Sequence, residues 1–146
     1  MIRRAVVNDA LVIAQLNEEH FHEAGRDFVA LITGPMSDMN VMLDDEKIIG
    51  FTGLQANEWN QTLHVIDIFV HPAHRRQGIG HQLIQHLIQV AQATVYRCLT
   101  AEAPSLNLVL QLYLKNGFRI CGYHDRYYTN VGPEVAIFVS LDLHAH

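Results

Sequence analysis

Positive charge is scarce in this chain, and so are cysteine and long apolar runs. Ten lysines and arginines stand against fifteen aspartates and glutamates, a formal net charge of −5. A protein that neutralises nucleic-acid phosphates needs the opposite balance, so nucleic acid is not expected as the main partner. The acidic surplus suits a cationic acceptor such as an amine. Cys98 and Cys121 are the only cysteines. Both lie in apolar runs and read as reduced core residues in a reducing compartment. No apolar stretch approaches the ~20 residues of a membrane span. Asn8 and Asp9 break the start of the chain before a signal-peptide core can form. A cytoplasmic protein with no membrane partner is the expectation. The ten histidines include His20 and His22, His71 and His74, and His144 and His146. None joins a cysteine in a metal-ligand spacing and no His-Glu-x-x-His occurs, so no metal is expected.

Apolar residues make up 49% of the 146 positions. That predicts one globular domain over residues 1–146 with a real core, as a monomer or a homodimer. The chain is organised around the stretch from Val65 to Ala91. Val65, Ile66, Ile68, Phe69 and Val70 form a short β-branched and aromatic strand, stopped by Pro72. Arg75, Arg76, Gln77, Gly78, Ile79 and Gly80 follow as a basic glycine turn. Ile79, Leu83, Ile84, Leu87, Ile88 and Ala91 then mark one stripe of an amphipathic helix. A helix start carries backbone N–H groups without intrahelical partners and partial positive charge. Two glycines let a bulky anion approach those amides, and Arg75 and Arg76 add full charges beside them. The turn is a site for a pyrophosphate. No Gly-Lys-Ser/Thr makes it a phosphate-binding P-loop, and Leu83 stands where a dinucleotide fingerprint has its third glycine.

Around this stretch the pattern alternates. Residues 2–7 read as a strand, and Asn8-Asp9 as a turn and helix cap. Helical character runs from Ala10 through Leu31 and Ile32, with a break near Gly25. Val41–Leu43 and Lys47–Gln55 form a hairpin over the acidic turn Asp44-Asp45-Glu46, and Leu63–Val70 is the next strand. After the helix from Gly78 to Ala93 come a strand at Tyr96–Ala101 and a nearly all-apolar, buried helix at Leu106–Asn116, with Ser105 as its N-cap. Gly117 closes that helix with a left-handed residue. Phe118–Tyr123 and Glu134–Leu141 are the last strands.

Arg75-x-x-Gly78-x-Gly80 after a strand and His71-Pro72, with Leu112-Tyr113-x-x-Asn116-Gly117-Phe118 further on, resembles the two signatures of the GNAT N-acetyltransferases. The resemblance covers nearly the whole chain. It implies an α/β fold (an α+β mixed sheet) of about seven strands and four helices, in which parallel strands four and five splay apart. It implies acetyl-CoA as co-substrate. Its pantetheine arm would lie in the gap against Ile68, Phe69 and Val70, and its diphosphate against Arg75, Arg76, Gln77, Gly78, Ile79, Gly80 and His81. The same likeness makes Asn107 a cofactor contact. It gives Tyr113 the role of acid for the departing thiolate, which suits a phenol of pKa near ~10.

The base is open between two residues. Glu102 matches the position of a glutamate in the ribosomal-protein alanine acetyltransferases. His64 matches a histidine used by some small-amine enzymes, and strict alternation puts it on the side of Ile66, Ile68 and Val70. Asp67, on the opposite side, ranks third. Tyr127 and Tyr128 resemble a tyrosine pair that lines the peptide groove in protein N-terminal acetyltransferases. The acceptor is therefore expected to be a primary amine: a peptide N-terminus, or a small molecule such as a polyamine or an aminoglycoside-like compound. An acyl-CoA sensor without turnover is the remaining alternative.

Overall fold

The structure is a computed structural model and describes residues 1–21 and 25–144; the expectations for His22 and His146 lie outside the described residues. The described strands are β1 (Ile2–Arg4), β2 (Ser37–Asp44), β3 (Lys47–Asn57), β4 (Thr62–Val70), β5 (Cys98–Pro104), β6 (Arg119–His124) and β7 (Ala136–Asp142). They form one mixed sheet in the order β1-β2-β3-β4-β5-β7-β6. Every neighbouring pair is antiparallel except β4 with β5, which is parallel. The described helices are α1 (Ala10–Phe21), α2 (Phe28–Thr33), α3 (Ile79–Gln92) and α4 (Val109–Lys115). The expected mixed sheet with its antiparallel first half is the one observed.

The sheet buries both faces. Ile13 of α1, Phe28 and Ile32 of α2, and Val41, Phe51 and Phe69 of the strands form one core. Ile84, Leu87 and Ile88 of α3, Leu110 and Tyr113 of α4, and Leu63, Val65, Leu99 and Val139 form the other. The six stripe positions of α3 are its six buried residues. A fully buried Leu or Ile contributes about 1.5–3 kcal/mol, so the stripe fixes the rotation of α3 and aims its first turn.

Several boundaries move for identifiable reasons. β1 ends at Arg4, because residues 7–9 coil into a 3₁₀ turn whose Asp9 carboxylate accepts from the Val6 N–H at 2.7 Å and from both Arg3 guanidinium nitrogens at 2.7 and 3.0 Å. β5 begins and ends later than expected, since it pairs with β7 as far as Pro104↔Ala136. α4 begins at Val109, not Leu106. Ser105 does not cap it: its backbone and side chain instead exchange hydrogen bonds with Val135 at 2.8 and 3.0 Å, tying the start of this segment to the residue that leads into β7. Leu106 and Leu108 are consequently exposed rather than buried. Cys98 is buried as expected, but Cys121 is exposed on the edge strand β6. No described helix is long and apolar enough to cross a membrane.

Candidate active site

The parallel pair β4–β5 is short. Only Thr62↔Cys98, Leu63↔Leu99 and His64↔Thr100 are in register. Beyond them β4 continues along β3 to Val70 and β5 continues along β7 to Pro104, so the two strands part. A cleft of about 1210 Å³ opens in the gap. It is walled by the run Val65 to Val70, by Glu102 and Pro104, and by the turn into α3. Backbone groups along such a gap require partners, which an extended polar ligand can provide.

A bulge in β4 decides which side chains meet the cleft. Leu54 pairs with Val65 but Thr52 pairs with Ile68, so β4 carries one extra residue there. The Thr52 hydroxyl donates to the Asp67 carbonyl inside this irregularity. Strict alternation therefore fails. Leu63 and Val65 pack on the α3–α4 side, Ile66 on the α1–α2 side, and Ile68 and Val70 return to the α3 side. His64 thus shares a face with Ile66 but not with Ile68 or Val70, a correction that periodicity could not supply. Asp67 forms an ion pair with Arg26 from the segment before α2, and both line the cleft.

At one end the cleft meets the first turn of α3. Gly78, the N-cap residue, has φ +79°, and Arg76 has φ +63°. Gln82 N–H makes the first i→i−4 bond, to Gly78 O at 3.0 Å, so the N–H groups of Gly78, Ile79, Gly80 and His81 precede the intrahelical ladder. A Cβ built on Gly78 would meet nothing within 4 Å. The space in front of these amides is open, and the donor set fits an anionic diphosphate. Gly80 serves a different end: a Cβ there would lie 2.8 Å from Leu112 Cδ2, so its bareness lets α4 pack against α3. Arg75 is anchored by Nε donating to Val70 O at 3.1 Å. Arg75, Arg76, Gly78, Ile79, Gly80 and His81 line the cleft; Gln77 is not on its wall.

At the other end, polar side chains gather on the α1–α2 face of the sheet. His64 Nδ1 lies 2.7 Å from Thr100 Oγ1, and His64 Nε2 bonds Glu102 Oε2. The two residues expected as rival bases are therefore partners. Glu102 is on the cleft wall and His64 stands behind it. Thr100, the third member, was not anticipated; the signal was the β4–β5 register, which a single chain pattern does not reveal. Tyr127 and Tyr128 border the same end, and their rings meet edge to face at 5.0 Å. Burial pushes the Tyr127 phenol up, and the charge and hydrogen bonding of Glu102 push it further.

Tyr113 reaches the cleft from α4, on the face opposite Glu102. Its ring packs edge-on to Phe118 at 5.2 Å. Burial above all, then the carboxylates of Glu102 and Asp67, push its pKa far above the ordinary phenol value. The group is a proton donor at any physiological pH. Asn107 also lines the cleft, but its Oδ1 accepts from Val109 N–H at 2.9 Å and so caps the turn into α4. No cluster of three or more His, Cys, Asp or Glu suited to a metal occurs among the described residues.

A mixed sheet whose one parallel pair splays over a glycine-capped helix start is the architecture of an acyl-CoA N-acyltransferase. Residues 35–120 match the acetyltransferase (GNAT) domain, and the chain belongs to that family. It is 32% identical over 91 residues to a streptothricin acetyltransferase from Streptomyces lavendulae, a match covering 62% of this chain and 48% of that protein. The chain thus spans about half the length of that relative. The ribosomal-protein-S18-alanine N-acetyltransferase of Escherichia coli superposes with a TM-score of 0.87 at 23% identity, over 100% of this chain and 95% of that one. The yncA protein of Salmonella typhimurium, solved with its cofactor acetyl-CoA, superposes with a TM-score of 0.85 at 21% identity, covering 100% and 95%. At these identities the two superpositions establish the fold.

Proposed function

We propose that the chain transfers the acetyl group of acetyl-CoA to a primary amine, by direct attack in a ternary complex. The single observation that carries the reading is the parting of β4 and β5 after three registered pairs, with an anion cradle at one end of the gap and a carboxylate at the other. Bound in that gap, acetyl-CoA supplies a carbonyl carbon activated by a thiolate leaving group. The N–H groups from Gly78 to His81, with Arg75 and Arg76, hold the diphosphate. The free edge of β4 at residues 68–70 pairs with the amides of the pantetheine arm. Glu102 accepts a proton from the acceptor ammonium, which frees the nitrogen electron pair to attack. Tyr113, kept protonated by burial, donates to sulfur as the C–S bond breaks, and the second proton that the nitrogen sheds on becoming an amide returns to the Tyr113 oxygen. No covalent enzyme intermediate is needed, and holding the amine against the thioester contributes up to roughly 7–11 kcal/mol in ideal cases.

For the acceptor, the exposed aromatic pair Tyr127-Tyr128 beside Glu102 supports a peptide N-terminus laid along the rim. The 32% identity to a streptothricin acetyltransferase supports a second reading, a small cationic amine. The test is thiol release from acetyl-CoA against a panel of peptides with free N-termini, polyamines and amine antibiotics, with the product mass read for a gain of one acetyl group. Release with at least one class is expected. Acetyl-CoA uptake without release for any amine would reduce the chain to an acyl-CoA sensor.

A further inference from the structure

Three polar side chains stand in a line across the last registered rung of β4 and β5. Thr100 and His64 are direct partners in that rung, and Glu102 is two residues further along the same face of β5. His64 joins the other two, with Nδ1 at 2.7 Å from Thr100 Oγ1 and Nε2 bonded to Glu102 Oε2. The side chains of His64 and Glu102 are 28% and 16% exposed, so neither is freely solvated. Glu102 lines the cleft and His64 does not, which decides the order of action.

We infer that His64, oriented by Thr100, is a positioning residue that holds the Glu102 carboxylate toward the acceptor amine, so that the three work as one unit. The hydrogen-bond inventory supports this. A carboxylate only accepts, so Nε2 must carry a proton to bond Glu102. A neutral ring then has a lone pair on Nδ1, to which the Thr100 hydroxyl donates. A cationic ring carries a proton on Nδ1 as well; it donates to Thr100 Oγ1, and that hydroxyl turns to the Leu63 carbonyl, 3.4 Å away. Thr100 can partner the ring in both charge states, and in both the Nε2–H stays on Glu102. His64 holds the carboxylate from behind through Oε2, and the Tyr127 phenol hydrogen-bonds the same carboxylate at the cleft rim, where the substrate ammonium would meet it. The step served is a simple proton transfer: an ammonium N–H bond breaks, an O–H bond forms on Glu102, and the electron pair remains on nitrogen.

Two measurements test the unit. The first needs no turnover. Proton spectra of the full chain with 15N-labelled histidine should show a His64 ring N–H protected from rapid exchange, lost in Glu102→Ala and weakened in Thr100→Val. The second depends on the acetyl-transfer reading. His64→Ala should lower kcat by about 10–100-fold, in the range typical of residues that orient a reacting group, with KM for acetyl-CoA unchanged. Adding it to Glu102→Gln should cost little more, as expected for groups that act together. Thr100→Val should lower kcat several-fold and Thr100→Ser should restore it. A protected ring proton that persists without Glu102, costs that add in the double variant, or full kcat in Thr100→Val overturns the inference. A protected proton that depends on Glu102, in a protein that acetylates nothing, sinks the proposed activity and leaves the unit standing.

Discussion

The proposed anion end of the cleft is built mainly of backbone amides, with Arg75 and Arg76 beside them, and the proposed acceptor end is built of side chains. At the anion end the strand, the turn and the helix start are consecutive in sequence, and the donors are amides aimed by a left-handed Gly78 and by the buried stripe of α3. At the acceptor end, His64, Glu102, Arg26 and Tyr127 come from four separate segments, and their meeting depends on strand register and on a bulge. A binding function that any CoA thioester shares can rest on local chemistry. A function that must suit one acceptor rests on residues that can change independently of one another.

The comparison breaks most readily between the ends, at Tyr113. Tyr113→Phe removes the proposed donor to sulfur and keeps the ring against Phe118. Pre-steady-state thiol release should fall by about 10²–10⁴-fold, the usual range for a general acid. Calorimetry should find acetyl-CoA affinity unchanged. A variant that retains full rate would remove Tyr113 from the chemistry and leave the anion end intact.

The next effect separates the two glycines of the turn. Gly78→Val places a β-branched residue at φ +79°. The free turn can relax away from that conformation and binding must restore it. Strain of about 1–3 kcal/mol should therefore appear as up to a hundredfold weaker acetyl-CoA binding. Gly80→Ala meets the end of the Leu112 side chain at 2.8 Å, which can shift. Its cost should be about 1 kcal/mol in denaturant unfolding, with a much smaller change in affinity. Equal losses of affinity in both variants would erase the distinction drawn between the two glycines.

The same contrast explains what was legible in the sequence. The stripe of α3, the glycine turn and the capping Gly117 are local patterns, and each stands where its residue types put it. The mixed sheet follows from the hairpin and the strand–helix–strand unit, together with the likeness of two signatures. What escaped depends on distant pairing. The β4 bulge moves Ile68 and Val70 to the face opposite His64, because Thr52 on the neighbouring strand takes up the irregularity. His64 and Glu102 read as competitors because nothing in a linear pattern shows that β4 and β5 are in register at Thr100. Ser105 has the composition of an N-cap, yet the demand of Val135 for a partner prevails.

A site belonging to neither end gives the smallest effect and a control for the others. Asp9 is buried where β1 turns into α1. The hydrogen bonds from Arg3 hold its carboxyl below the ordinary range; burial opposes them and the Val6 N–H assists. A carboxyl whose folded pKa is depressed stabilises the fold above its unfolded value of about 3.9. That contribution fades as pH falls below this value, through the lower folded one. Asp9→Asn should lower unfolding free energy at pH 7 by roughly 1 kcal/mol, since a capped turn and a charge-assisted pair are weakened together. Chemical unfolding of the two proteins should then converge as the pH is taken below about 4. Acetyl-CoA affinity and kcat should not move, because Asp9 does not line the cleft. A gap in stability that widens on acidification would reverse the sign assigned to this carboxyl, and a loss of kcat at pH 7 would show that the first turn of the chain reaches the acceptor end after all.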